Sequence, residues 1–178
     1  MKEACKVNSV FEIVMFEDPV GNIAQLSKKG VSIETLKEKY NNKLINEKII
    51  RGNIFLLEGI NFIWKAVCGE ITIPFDHEHA HIGVGDGTEP ADPSQKGLVG
   101  ANKCYAPMDE GYPKIENERI IFRATFDPTM ANFTWNEWTI ANGSSDDAIN
   151  LNRKVESLGT KRNDQSWIVT VSLSIWSE

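Results

Sequence analysis

The chain predicts a mainly β protein with an α-helical part, an α+β fold built as an antiparallel β-sandwich or barrel with one or two helices packed near the N-terminal side. Three observations predict it. From residue 71 onward apolar residues recur at a period of two; clusters of Gly, Pro, Asn and Asp divide that region into five or six segments; and apolar spacing of helical period is confined to residues 32–67. A length of 178 residues suits one core, so a single domain 1–178 is expected, with a hairpin and helices over about 8–68 and the β-sandwich core over about 70–177.

Taken in order, VFEIVMF (10–16) and NIAQL (22–26) read as two strands around Asp18-Pro19-Val20-Gly21, whose Pro and Gly supply turn geometry. Ser32 is placed to cap a helix through SIETLKEKYNNKLINEK, with Ile33, Leu36, Tyr40 and Leu44 on one stripe, although Asn41-Asn42 weakens its middle. LLEGINFIWKAV places Leu56, Ile60, Ile63, Trp64 and Val67 at helical spacing despite Gly59. ITIPF and AHIGV then read as strands, GDGTEPADPSQKG as an ordered loop, and NKCYAPM, ERIIFRATF, FTWNEWTIA, INLNRKVES and SWIVTVSLSIW as further strands. In the last, Trp167, Val169, Val171, Leu173 and Ile175 form an apolar face opposite a mixed one.

Composition narrows the function classes. A net charge of −6, with basic residues clustering no further than pairs such as Lys161-Arg162, is opposite to what a phosphate backbone selects, so nucleic acid is not an expected partner. Cys5, Cys68 and Cys104 are odd in number and far apart, which fits reduced thiols better than a disulfide framework. Glu12 and Glu17 interrupt the first apolar run, so no signal peptide and no membrane partner is expected, and the sequons at Asn132 and Asn142 read as silent.

All three histidines, His77, His79 and His81, alternate within FDHEHAHIGVGDGTEPADP. On a strand they share a face, and an HxH pair is one way to present two imidazoles to zinc. The outer two α-carbons would then stand roughly 13 Å apart, and any further donor would have to be a carboxylate such as Asp76, Glu78 or Asp86, of which Glu78 would point to the opposite face. The reading adopted is half-exposed strand positions entering a turn, with adventitious metal binding left open. Gly83, Gly85 and Gly87 lack the spacing and following helix of a phosphate loop, so a turn needing positive φ is expected; a calcium loop through Asp86 and Asp92 lacks EF-hand ligand order. Glu137, between Trp135 and Trp138, has the surroundings of a catalytic acid, but such a residue more often faces water or pairs with an arginine such as Arg123 or Arg153. No catalytic, cofactor-binding or metal-binding residue is assigned, no cofactor is expected, and catalysis has no positive support.

The ordered series KLINEKIIRGNIFLLEGINFIW, HIGVGDGTEPADPSQKGLVGANK, IIFRATF, ANFTWNEWTIANGS, LNRKVESLGTK and WIVTVSLSI resembles a family of tailed-phage virion structural proteins. Their pattern runs "IAVGxGT", "TxxATF", "NEWGIFN" or "EAGLFN", "LLNRKVFSLGTK" and a terminal alternating strand. It is similar, more distantly, to the N-terminal module of tail-collar fibre proteins, with "VGDG" and "REIGLY". The resemblance covers about residues 8–176. It implies a non-enzymatic bacteriophage structural protein located on the virion, assembled in the host cytoplasm, commonly oligomeric, with other virion proteins as partners. A capsid decoration or cement protein is the favoured expectation, because the chain stops just after its last strand; a tail, collar or baseplate adaptor anchoring a tail fibre is the alternative. A metal-dependent enzyme built on the HxH strand is the distant one. The polar segment 28–49 is the expected contact-making insertion, and Trp135, Trp138, Trp167 and Trp176 are expected to divide between core and partner surface.

Overall fold

The two most regular alternations in the sequence pair with each other. In the computed structural model, which describes residues 5–70, 73–145 and 147–177, β1 (Cys5–Glu17) runs antiparallel to β10 (Gln165–Ser177) along its full length. β2 (Leu44–Arg51) adds to the other side of β1, β7 (Arg119–Phe126) to the other side of β10, and β6 (Lys114–Glu116) to β7, giving the order β2-β1-β10-β7-β6. The second sheet has the order β3-β9-β8-β4-β5, from β3 (Ile54–Phe55), β9 (Asn152–Thr160), β8 (Thr134–Ala141), β4 (His81–Gly85) and β5 (Lys103–Pro107).

The inner faces meet in one core. Phe11, Ile13 and Met15 of β1, Phe122 and Phe126 of β7, and Val169 and Val171 of β10 pack against Ile82, Val84, Trp138 and Ile140. Phe11 stacks on Trp138 with ring centroids 4.5 Å apart, while Trp135 meets Phe126 and Trp167 edge to face at 4.7 and 4.6 Å. These are the offset and T-shaped geometries that the ring quadrupole favours. The protein is thus an α+β sandwich of two antiparallel sheets.

Val14, Phe16 and Ile168 point out of the other face of the first sheet, where Ile23 of α1 (Asn22–Lys28) and Leu36 of α2 (Ile33–Lys39) cover them. This burial on both faces explains why β1 reads as a nearly continuous apolar run.

Several expectations are corrected. Residues 22–26 are helical: Asp18 accepts from Ile23 N at 3.2 Å and Ala24 N at 2.9 Å, supplying partners for donors in the first helical turn, and Ser166 Oγ holds the same carboxylate at 2.8 Å. The turn before them is as expected, closed by Gly21 N to Asp18 O. Ser32 does cap α2 through Thr35 N, but the helix ends at Lys39, a short 3-10 turn spans Asn41–Lys43, and residues 44–51 become β2. The segment 28–49 therefore contributes a strand to the sheet. Ile71 and Thr72 of the expected ITIPF strand lie outside the described residues, and 73–80 form no strand.

α3 (Leu57–Val67) forms where expected, with a different face inward. Gly59 abuts β9's approach so closely that a Cβ would sit 2.5 Å from Leu151 O, Glu58 accepts from Asn150 N at 2.9 Å, and Phe62 meets Phe75 edge to face. Ile60, Trp64 and Val67, predicted for the core stripe, lie outside.

Trp135 donates its indole N–H to Ala131 O at 2.9 Å, whereas buried Trp138 Nε1 has no partner among the described residues. Trp135→Phe is therefore expected to cost about 1 kcal/mol more than Trp138→Phe in denaturant unfolding, because only the former removes a hydrogen bond.

Candidate functional site

The long connection from β4 to β5, residues 86–102, wraps around one buried ion pair. Glu137 leaves β8 toward this loop and is fully buried; its Oε2 accepts from Arg153 Nε at 2.7 Å. Its Oε1 accepts from Gly100 N at 2.7 Å and Gly87 N at 3.1 Å, and both oxygens lie 3.2 Å from Val99 N. Arg153, from the adjacent strand β9, donates onward to Gln95 Oε1 at 2.8 Å and Glu89 O at 3.0 Å. Of the two sequence readings of Glu137, the arginine partner is the one found, and the partner is Arg153. Carboxylate and guanidinium together satisfy backbone groups that a loop crossing the sheet end would otherwise bury without partners.

The glycines have the same cause. Gly83, Gly85 and Gly87 do not have the positive φ expected of them. A Cβ on Gly85 would stand 2.5 Å from Glu137 Oε1, and one on Gly87 would be nearer still. What the motif requires is an absent side chain where the carboxylate comes in. Asp86 and Asp92, weighed for calcium, are engaged separately: Asp86 accepts from Asn102 N and Nδ2, which hold its carboxyl below the usual range, and Asp92 accepts from Ser94 N.

A second buried cluster ties α1 to the first sheet. Asp109 Oδ2 accepts from Arg123 Nε at 3.0 Å, Thr125 Oγ1 at 2.7 Å and Ser27 Oγ at 3.1 Å, while Arg123 Nη2 donates to Ser27 O at 2.7 Å. Burial pushes the Asp109 carboxyl up despite these donors. Nearby, Lys161 Nζ donates to Asp127 O at 2.7 Å and Asn132 Oδ1 at 3.0 Å, and burial lowers its pKa to about 8. Cys104 is half-buried, which raises its thiol, and Cys68 is exposed; neither forms a disulfide.

The histidines are not on one strand. Residues 77–79 form a turn in which Asp76 Oδ1 accepts from Glu78 N and His79 N, and only His81 belongs to β4. Each imidazole Nδ1 has a different partner at 2.7 Å: Tyr112 O for His77, Asp76 Oδ1 for His79 and His79 O for His81. The strand geometry on which the HxH reading depended is replaced by an Asp-nucleated turn. Among the described residues no group of three His, Cys, Asp or Glu side chains is gathered to hold a metal ion. No described helix is long and apolar enough to cross a membrane.

One surface feature was not foreseen. Between α3, the β6–β7 hairpin and the end of β10 lies an open apolar pocket of about 430 Å³, walled by Phe62, Ile63, Phe75, Ile115, Ile120 and Ile175, with Glu118 and Arg119 at its lining. Trp64, next to Ile63, is 63 % exposed, whereas Trp135, Trp138 and Trp167 are buried; the side chain of Trp176 lies outside the described residues. Helical spacing alone could not distinguish the two faces of α3, since both are apolar; Gly59 was the legible signal of which side sits against a backbone.

Compared with models of protein families, with curated proteins and with solved structures, the chain matches none of them.

Glu137→Gln is expected to destabilise the protein by about 3–5 kcal/mol in denaturant unfolding, because it leaves Arg153 buried without a counter-charge. Limited proteolysis is expected to cut the variant within 86–102 before any other segment. A separate acid test concerns Asp127: burial alone would raise its carboxyl, but hydrogen bonds from Lys28 Nζ at 2.6 Å and from Thr129 outweigh this and hold it at about 2, against the ordinary 3.8. Its stabilising contribution is present above pH 3.8 and lost as pH falls toward about 2. Lys28→Met is expected to flatten the loss of stability in that window.

Proposed function

We propose that this chain is a non-enzymatic structural protein of a tailed-phage virion, located on the particle after assembly in the host cytoplasm, and that its role is capsid decoration. One observation carries the reading beyond the sequence resemblance. Three of the motifs that compose that resemblance, HIGVGDGTEPADPSQKGLVGANK, ANFTWNEWTIANGS and LNRKVESLGTK, converge on the Glu137–Arg153 pair and the loop it holds. Their charged and glycine residues maintain the shape of the sandwich end, so the pattern serves a scaffold. A buried carboxylate already engaged by Arg153 and three backbone amides has no free position from which to exchange a proton with a substrate.

The partners that follow are other virion proteins, the major capsid subunit first. Repetition of a small acidic module over a symmetric shell lets modest contacts combine into stable attachment. The test is quantitative mass spectrometry of purified particles from the host that carries this gene. Copies in the hundreds, comparable with the major capsid subunit, are expected for decoration. A few to a few dozen copies would move the assignment to a tail, collar or baseplate adaptor, and absence from particles would overturn the virion reading.

A further inference from the structure

We propose that the open edge of β2 pairs antiparallel with β2 of a second copy of this chain, about a two-fold axis at Ile49, so that the first sheets of the two copies become one continuous sheet. The pairing depends on this strand and not on where the protein is used.

β2 ends the order β2-β1-β10-β7-β6, so only one of its two edges is bonded. The phase of that bonding is fixed where Gly52 N donates to Ser9 O at 3.0 Å. Opposed residues of an antiparallel pair alternate between bonded and non-bonded, so Ile50 opposite Phe11 and Lys48 opposite Ile13 turn their backbone groups toward β1. Glu47, Ile49 and Arg51 turn theirs outward. The amide of Glu47 agrees, since its acceptor, at 2.9 Å, is the adjoining Asn46 side chain and not a strand. A row of outward donors and acceptors is a template for another strand, and edges are ordinarily blunted by proline, a bulge or a projecting inward-facing charge. From Asn46 to Arg51 there is no proline and the register with β1 is regular. Lys48, the charge on the inner face, bends its ammonium back to Leu158 O at 2.7 Å.

The side chains select the partner. Glu47, Ile49 and Arg51 lie opposite Val14, Glu12 and Val10, so they share the outer face of the sheet with Val14. All three are exposed, Ile49 by 61 %. A two-fold axis normal to the sheet at Ile49 sets this residue against its own counterpart and Glu47 against Arg51 on both sides. Arg51 has no ion pair among the described residues. Glu47 accepts from Lys37 Nζ at 2.8 Å, so each carboxylate would stand between two cations. Opposite charges facing each other across a strand pair stabilise it, and like charges directly opposed weaken it. Shifting the axis to Lys48 opposes two lysines, shifting it to Glu47 opposes two carboxylates, and shifting it to Ile50 takes each Arg51 off Glu47 and sets it against Ile49. The charges therefore choose the register as well as the partner. An unrelated strand would have to supply the complementary charges independently, whereas a second copy carries them by symmetry.

Analytical ultracentrifugation of the full chain tests this, with the wild type expected at twice its 20.0 kDa mass at about 100 μM. Arg51→Glu and Glu47→Arg are each expected to weaken association about thirtyfold. The double variant carrying both is expected to return to within about fivefold of wild type, since losing the exposed Lys37 pair costs little. Ile49→Pro removes an outward N–H, which an edge strand tolerates, and is expected to abolish the dimer while far-UV circular dichroism stays unchanged. Ile49→Lys, which keeps that N–H and serves where proline disturbs the strand, is expected to weaken the dimer at least about tenfold. Amide exchange read by NMR supplies a signature of this edge: on concentrating the protein, the Ile49 amide slows while that of Ile50, already bonded to β1, does not. A wild type monomeric at about 100 μM, a dimer indifferent to both Ile49 variants, or single charge variants that the double fails to rescue overturns the proposal. Particle counts keep the two readings apart: a monomeric wild type still present on particles sinks the pairing alone, and a β2-dependent dimer absent from particles sinks only the virion assignment.

Discussion

A carboxylate and a guanidinium removed from water depend on each other, and the sandwich end is organised by that dependence. Glu137 and Arg153 are both fully buried, where an unpaired charge would be costly. Pairing alone would leave most of their hydrogen-bonding capacity empty. The loop 86–102 supplies the remainder, with amides from Gly87, Val99 and Gly100 on one partner and acceptors from Glu89 and Gln95 on the other. A loop lacking regular structure thereby gains a fixed path, and the missing side chains at Gly85 and Gly87 make room for it. Replacing the pair by apolar residues would remove the desolvation cost but also orphan those amides, so the loop and the pair stand or fall together.

How much of this was legible depends on how many neighbours a residue answers to. Strands bounded by turn clusters, such as residues 119–126, 134–141 and 165–177, announced themselves by their apolar segments and boundaries, although consecutive residues along much of each are buried on both faces. Residues 22–28 did not, because their helix is set up by Asp18, whose role as acceptor is invisible in a pattern that reads NIAQL as a short apolar run. Residues 44–51 continued a helical stripe through Leu44, yet pairing with β1 outweighs that local preference. For the buried pair, the sequence named Glu137 and offered Arg123 or Arg153; only the three-dimensional register of β8 beside β9 distinguishes them, with Glu137 opposite Val155 and Trp138 opposite Lys154. The partner arginine of Asp109 is the other candidate, Arg123.

The histidine-bearing segment shows the same limit from the opposite side. Strict alternation of three imidazoles is a strand pattern on paper, yet Asp76 folds back on Glu78 N and His79 N and breaks the extension before His81. A short polar side chain that offers the backbone an alternative hydrogen bond can override a period of two over so few residues.

The position of β10 bears on how the molecule comes into being. It lies between β1 and β7, pairing with both, so the first sheet has no direct link between its N-terminal pair β1–β2 and its later pair β6–β7 without it. During translation the ribosome delivers β10 after the nine other strands of the described residues. Until it emerges, the edges of β1 and β7 that it pairs with are open, and loop closure over most of the chain must precede those contacts. Nascent chains will therefore pass through a stage with an open, apolar half-sheet, when their dependence on chaperones is greatest.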